Sequence, residues 1–395
     1  MSLGKKSVTD VAFSGKKVLV RCDFNVPVQD GVIADDTRIT AALPTIRLLL
    51  DGGAAVILCS HLGRPKGQVN PKYSLAPVAA RLSALLGREV ALAQDVVGES
   101  ARALAAAVQP GQAILLENLR FEAGEEKNDE NFSRALASLA DLYVNDAFGA
   151  AHRAHASTAG VAAFLPAVAG LLMQKEIEVM GAALEKPDRP FVAILGGAKV
   201  ADKLALIDSL LDKCDSVLIG GGMSYTFSRA LGGEIGSSLC DESKLDMVKA
   251  VMDKAKQKGV ELLLPVDIVA GRAFANDTET ATFEAGHIPE GFEGFDIGPR
   301  TRELFAAAVS KAKTIVWNGP MGAFELPVFA EGTRAVARAV ALSGAVSIIG
   351  GGDSASAVEQ LGFADRVTHI STGGGASLEF LEGRVLPGVD CLMDK

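Results

Sequence analysis

A chain of 395 residues, 49 % of them apolar, has material for two or three domain cores and is not intrinsically disordered. Its net charge of −9 argues against bulk nucleic-acid binding, no apolar run nears the length of a membrane span, and no apolar segment of a secretory signal follows the lysines of the first ten residues. Five cysteines, at 22, 59, 214, 240 and 391, are odd in number and lack a Cys-x-x-Cys pair, which excludes a disulfide framework and a zinc spacing and suits a reducing cytoplasm.

Short apolar runs of strand type recur along the chain. The first half has Val18–Val20, Ala55–Leu58, Ala113–Leu116 and Leu142–Val144. The second has Phe191–Leu195, Val217–Ile219, Leu262–Leu264, Ile315–Trp317 and Val346–Ile349. Ala-rich stretches such as 76–86 and 100–107 fit helices between them. Unbroken apolar strands alternating with helices predict α/β domains, each a doubly wound, Rossmann-like parallel sheet covered by helices. Gly170 to Lys186 predicts a helix, with Leu172, Val179, Met180, Ala183 and Leu184 on one face and Pro187 and Pro190 ending it. The boundary between two domains is expected there, as a stiff helical joint.

Ligands on such sheets bind at the carboxyl ends of the strands. In the first half those ends carry Arg21, Asp23, Asn25, His61, Arg64 and Arg120, with Arg38, His152, Arg153 and His155 in or beside neighbouring loops. Guanidinium groups bind phosphate or carboxylate through a planar fork, and Asp23 and Asn25 can take hydroxyls. A small polyanion bearing hydroxyl groups suits that set. Any one of these residues alone could equally be a surface arginine or a satisfied histidine.

The second half ends its strands in glycine. Gly196-Gly-Ala-Lys199 continues to Lys203, and the two lysines share a face if a helix starts at once. Gly220–Gly222 and Gly319–Gly322 leave room for a flat base against backbone, or are simple turns. Glu325 is either a ribose acceptor or a solvated loop carboxylate. Val346–Ile349 runs into Gly350, Gly351 and Gly352 and then Asp353 and Ser354, a strand, a glycine turn and a helix start. That order makes a phosphate cradle, with Asp353 where a phosphate-bound Mg²⁺ would sit. Ser371–Gly375 is a further glycine run. There is no Gly-x₄-Gly-Lys-Ser/Thr loop and no Gly-x-Gly-x-x-Gly fingerprint, which argues against a P-loop ATPase and a nicotinamide dehydrogenase.

Eight motifs in order carry a resemblance. They are Val18-Leu-Val-Arg-Cys-Asp-Phe-Asn-Val-Pro27, Asp36-Thr-Arg-Ile39, Ser60-His-Leu-Gly-Arg-Pro65, Glu117-Asn-Leu-Arg-Phe121, Gly196-Gly-Ala-Lys-Val-Ala-Asp-Lys203, Val316-Trp-Asn-Gly-Pro-Met-Gly322, Gly350-Gly-Gly-Asp353 and Ser371-Thr-Gly-Gly-Gly-Ala376. Together they resemble the phosphoglycerate kinase family from about Lys16 to near the end of the chain. The resemblance implies two α/β domains facing a central cleft and joined by a helix, with residues 1–172 holding 3-phosphoglycerate, 173–186 as the joint and 187–380 holding the nucleotide. It implies that about 381–395 return to the first domain. The activity implied is reversible phosphoryl transfer between 1,3-bisphosphoglycerate and MgADP, giving 3-phosphoglycerate and MgATP, in a cytoplasmic monomer with no nucleic-acid or membrane partner. Carried over residue by residue, Asp23, Asn25, Arg38, His61, Arg64, Arg120 and Arg153 bind the glycerate. Lys203, Asn318, Glu325, Gly351, Gly352, Asp353 and Ser354 bind ATP or ADP, with Asp353 on Mg²⁺. Arg38, Lys199 and Gly374 serve the transferring group. A non-catalytic binding protein on the same scaffold would be expected to lack Arg38, Lys199 or Asp353, and all are present.

A carboxylate acceptor has a pKa of roughly 3.5 and needs no general base. The expected site is therefore cationic, works by in-line positioning and charge neutralisation, and closes by hinge bending once both substrates bind.

Overall fold

The computed structural model describes residues 3–395. These divide into two compact units, one of residues 3–178 with Val385–Lys395 and one of Val179–Arg384.

The first unit is built on a parallel sheet of β1 (Lys17–Arg21), β2 (Ala55–Cys59), β3 (Val90–Leu92), β4 (Ala113–Leu115), β5 (Leu142–Asn145) and β6 (Ala167–Ala169), in the order β3-β4-β2-β1-β5-β6. Val18, Leu19 and Val20 are all fully buried, so both faces of β1 are covered, as a parallel sheet requires. Helices α1 (Thr37–Asp51), α2 (Ala76–Leu86), α3 (Glu99–Ala107) and α4 (Glu130–Ala137) complete the unit's winding. On α1, Ile39, Ala42, Leu43, Ile46 and Leu49 follow helical spacing and pack with Val18, Val20, Val56 and Leu58 in one apolar cluster. Truncating one such buried Ile or Leu to Ala costs about 2–5 kcal/mol.

Registers within the sheet level the functional edge. Arg21 lies beside Cys59 on one side and Asn145 on the other. The loops after these strands therefore leave from one rim.

Helix α5 (Leu171–Glu185) starts where Asp146 Oδ1 accepts from the amides of Leu172 and Met173. Gly170 precedes it because a Cβ there would lie 2.1 Å from Asp146 Oδ1. The division between the units falls inside α5, and the chain re-enters the first unit at Val385. The returning segment is held by Gly388 N to Ala151 O (2.8 Å), Asn145 Nδ2 to Gly388 O (2.9 Å) and Met393 N to Ala167 O (2.9 Å). The Lys5 ammonium donates to the carbonyls of Asp390 and Leu392.

The second unit repeats the plan. Its parallel sheet comprises β7 (Phe191–Leu195), β8 (Ser216–Ile219), β9 (Glu261–Leu263), then β13 (Thr314–Asn318), β14 (Val346–Gly350) and β15 (His369–Ile370), in the order β9-β8-β7-β13-β14-β15. This is the doubly wound order in which the chain starts mid-sheet, winds outward and restarts beside its first strand. Leu195, Ile219, Asn318 and Gly350 stand level.

Between β9 and β13 lies an antiparallel sheet that the parallel reading of the sequence omitted. It has β10 (Asp267–Gly271) flanked by β11 (Thr280–Glu284) and β12 (Glu293–Ile297). Thr280–Glu284 alternates exposed and half-buried positions, the period-2 pattern of a strand with one wet face. That pattern differs from the unbroken apolar runs of the main sheets. The helix does not start at once after Gly197: residues 201–203 form turns and α6 (Leu204–Leu210) begins only after them, so the condition under which Lys199 and Lys203 would share a helical face is not met.

Candidate active site

At the rim of the first sheet, the Arg38 guanidinium projects from the first turn of α1. Its Nη1 donates to Asp23 Oδ2 at 3.1 Å and to the carbonyl of Asn25 at 3.2 Å. The Asn25 side chain in turn accepts from Gly63 N at 2.9 Å, tying the loop after β1 to the loop after β2. Arg120 is buried and donates from Nη1 to Gly63 O at 2.8 Å. Its Nε faces Glu126 at 3.2 Å, an ion pair whose alignment is too poor for a hydrogen bond. Arg153 is half-buried, while Arg64 is exposed and makes no bond among the described residues.

Arg21 differs from the other arginines. Its side chain is sealed in, and every nitrogen is engaged by protein. Nε donates to Ser157 Oγ at 2.9 Å, Nη1 to the carbonyl of Cys22, and Nη2 to His61 Nδ1 at 3.1 Å. Ser157 passes the contact on, donating from Oγ to Glu125 Oε1 at 2.6 Å. Burial raises the Glu125 carboxyl above its usual range despite Arg21 and Ser157.

The histidines report the crowding of positive charge. Burial pushes His61 well below an ordinary imidazole, and Arg21, Arg120, Arg153 and Arg38 push it further. His155 is depressed to about 4 by burial, with Arg120, Arg21 and Arg153 adding to it. The structure thus gathers Asp23, Asn25, Arg38, His61, Arg120 and Arg153 at one rim. Arg64 stands exposed at the edge.

In the second unit, three glycine turns leave the level strands and are stitched together through their backbones. Gly197 N donates to Pro320 O (2.9 Å) and Gly221 N to Met321 O (3.0 Å). Gly319 has φ +92°, and a Cβ there would lie 2.2 Å from Gly196 O, so no other residue fits the crossing. Two adjoining cavities open over these turns. One, of about 480 Å³, is lined by Lys199, Asp202, Lys203, Asn318, Gly351, Gly352, Asp353, Ser354 and Gly374. The other, of about 410 Å³, is lined by Gly221, Gly222, Leu239, Phe274, Phe295, Phe324, Glu325 and again Asp353.

The polar walls of the first cavity are braced from behind. Lys203 donates to Asn318 Oδ1, and Asn318 Nδ2 donates to Gly350 O at 2.8 Å, so both ends of that amide are taken by protein. Burial lowers the Lys203 ammonium from its ordinary range, against the pull of Asp202, Asp353 and Glu382. The Ser354 hydroxyl accepts from Gly319 N at 2.5 Å. Gly351 (φ +89°) is the N-cap of α7 (Gly352–Gln360), so the helix start faces the cavity. Lys199 and Glu325 are exposed on the walls, and neither is held by another residue of the described chain.

Sequence reasoning missed the aromatic wall formed by Phe274, Phe295 and Phe324. Phe274 and Phe295 meet edge to face at 5.7 Å although they are distant in sequence. It also missed Glu125 and Ser157, because a charged stretch such as Glu122–Lys127 looks like solvated surface.

A guanidinium rim on one parallel sheet, and on another a glycine-walled cavity with two lysines and two aspartates, define a nucleotide-dependent phosphotransferase of the two-domain α/β class. The family model described as phosphoglycerate kinase matches residues 8–384. The chain is 60 % identical over 398 aligned positions to a phosphoglycerate kinase of Clostridium novyi (strain NT), covering all of both. Its fold is similar to the phosphoglycerate kinase structure from Coxiella burnetii, with a TM-score of 0.92, 44 % identity and 98 % of each chain covered. The corresponding values for the structure from Pyrococcus horikoshii OT3 are 0.82, 35 % and 98 %. The chain belongs to the phosphoglycerate kinase family, whose members are phosphotransferases with a carboxyl group as acceptor.

Proposed function

We propose that the chain transfers a phosphoryl group reversibly between 1,3-bisphosphoglycerate and MgADP, with the glycerate on the guanidinium rim and the nucleotide over the glycine turns. The observation that carries the reading is the pair of adjoining cavities of the second unit, one walled by glycine and aromatic rings and one by lysine and helix-start amides. A base and ribose suit the former, with Glu325 as hydroxyl acceptor. Phosphates suit the latter, because amides at a helix start and ammonium groups both favour negative charge.

Asp353 is exposed where the two cavities join. Mg²⁺ is commonly held by one or two carboxylates together with substrate phosphates, so this donor set fits a metal carried on the nucleotide. Bound there, Mg²⁺ would offset charge on the phosphate oxygens. Lys199 lines the same cavity, and the Gly374 turn offers backbone where no side chain intrudes.

On the acceptor side, Arg38 neutralises the transferring group, while Asp23 and Asn25 orient it and take substrate hydroxyls. Arg64, Arg120 and Arg153 bind the remaining negative charge. His155, held to about 4, is a weak base, which is consistent with an acceptor that is already ionised. Two substrates held on separate units must be brought within in-line reach, so binding of both drives a hinge closure that excludes water. The protein works as a monomer in the cytoplasm and has no nucleic-acid partner.

The test is a coupled assay with 3-phosphoglycerate and MgATP. Acceptor-dependent ADP release is expected. Release without the acceptor, or none with it, refutes the reading.

A further inference from the structure

We propose that Arg21 is a positioning residue that locks His61 in its Nε2–H tautomer, so that His61 serves the acceptor as a neutral hydrogen-bond donor and not as a cation. The inference rests on the proposed assignment of the glycerate to this rim.

Arg21 is 1 % exposed and its three contacts are all to protein, so it cannot itself grip a ligand. A guanidinium has five donors and no acceptor, and it stays protonated in proteins. Its Nη2 therefore donates to His61 Nδ1, which must offer a lone pair. A neutral imidazole with a bare Nδ1 carries its proton on Nε2. Protonating the ring would set N–H against N–H and charge against charge. No described group accepts from Nε2, which leaves that donor for a ligand oxygen.

The orientation is enforced from behind. Glu125 accepts from the Ser157 hydroxyl and amide, and that hydroxyl accepts from Arg21 Nε. Every donor in the line from Arg21 Nε through Ser157 points the same way, toward the carboxylate. The charges facing His61 are Arg21, Arg120, Arg153 and Arg38, of which Arg38 is paired with Asp23 and Arg120 with Glu126. Arg21 keeps two further N–H groups, but its burial closes them to an anion.

The test is ¹⁵N NMR of the full chain labelled at histidine, with His61 assigned by His61→Gln. Between pH 5.5 and 8 the expected spectrum has a protonated Nε2, a bare Nδ1 and no midpoint near the ordinary value of about 6.5. An Nδ1–H signal, or conversion to imidazolium across that range, overturns the proposal. In Arg21→Met, His61 should become a tautomer mixture that titrates, with KM for 3-phosphoglycerate up by about tenfold and KM for MgATP unchanged. Should that variant fail to fold, the wild-type spectrum still decides, and Ser157→Ala should give a partial loss of the same tautomer. An unchanged tautomer in a folded Arg21→Met also overturns it. A wild-type enzyme that turns over with the wrong tautomer sinks this inference alone, whereas absence of turnover sinks the proposed function.

Discussion

The phosphate cradle can be separated from the scaffold that supports it by two neighbouring alanine substitutions. At Gly352 an added Cβ meets nothing within 4 Å, and the residue already occupies the first position of α7. Gly352→Ala should therefore fold normally, with Tm within a degree or two of wild type. The group its methyl would meet is a phosphate lying against the helix-start amides. Displacing that phosphate weakens one or two charge-assisted hydrogen bonds, each contributing about 1.5–3 kcal/mol, so KM for MgATP should rise roughly 10- to 100-fold. KM for 3-phosphoglycerate should not move. Gly351→Ala is the contrast. Its φ of +89° is unfavourable for alanine, and its Cβ would lie 2.8 Å from Asn318 Nδ2. Strain of about 1–3 kcal/mol should appear as a lowered Tm together with poorer nucleotide binding, because Asn318 braces Lys203. The assay is steady-state kinetics at saturating acceptor, paired with thermal unfolding of each apoenzyme. A Gly352→Ala enzyme with wild-type KM for MgATP would mean that these amides do not touch the phosphates.

The same geometry predicts three further outcomes. Arg38→Ala should lower kcat by ~10²–10³ with little change in KM, and an effect confined to KM would assign Arg38 to ground-state binding. Asp146 is held at about 6 by burial, above its ordinary 3.8, so the native state binds the proton more tightly than the unfolded chain. Its contribution to stability is complete below about pH 4 and is lost as pH rises through 6, by about 1.4 kcal/mol per pH unit in that window. Asp146→Asn keeps an acceptor for the start of α5 and should flatten that slope in chemical unfolding; an unchanged slope refutes the assignment. Solution scattering should show a smaller radius of gyration with both substrates bound than with either alone, and no change would refute closure.

The main sheets were legible because a strand buried on both faces must be apolar throughout, and runs such as Ala55–Leu58 and Phe191–Leu195 have no other simple explanation. The strand-end chemistry was legible for the same reason, since residues just beyond such a strand are delivered to one rim. The insert of β10, β11 and β12 was not, because its strands pair antiparallel and β11 alternates exposed and half-buried residues, a pattern of a different period. The aromatic wall was hidden because Phe274 and Phe295 meet only through that sheet. Arg21 was visible as one more arginine at a strand end. Its sequestration depends on Ser157 and Glu125, far along the chain, and local pattern does not reveal which arginines are already satisfied.

That distinction decides how much charge the acceptor meets. Arg38 is paired with Asp23, Arg120 with Glu126, and Arg21 reaches Glu125 through Ser157. Among the described residues, the Arg64 and Arg153 side chains have no ion pair. Two uncompensated guanidiniums match a phosphate carrying roughly −1.5 to −2 at neutral pH. Arg38 holds Asp23 through Nη1 at 3.1 Å and keeps Nε and Nη2 for a transferring group, and its side chain is 39 % exposed, so the approach takes place at low desolvation cost. Arg21 and Arg120, themselves buried, set the shape of the rim, and the more exposed Arg38, Arg64 and Arg153 are the ones placed to follow the substrate.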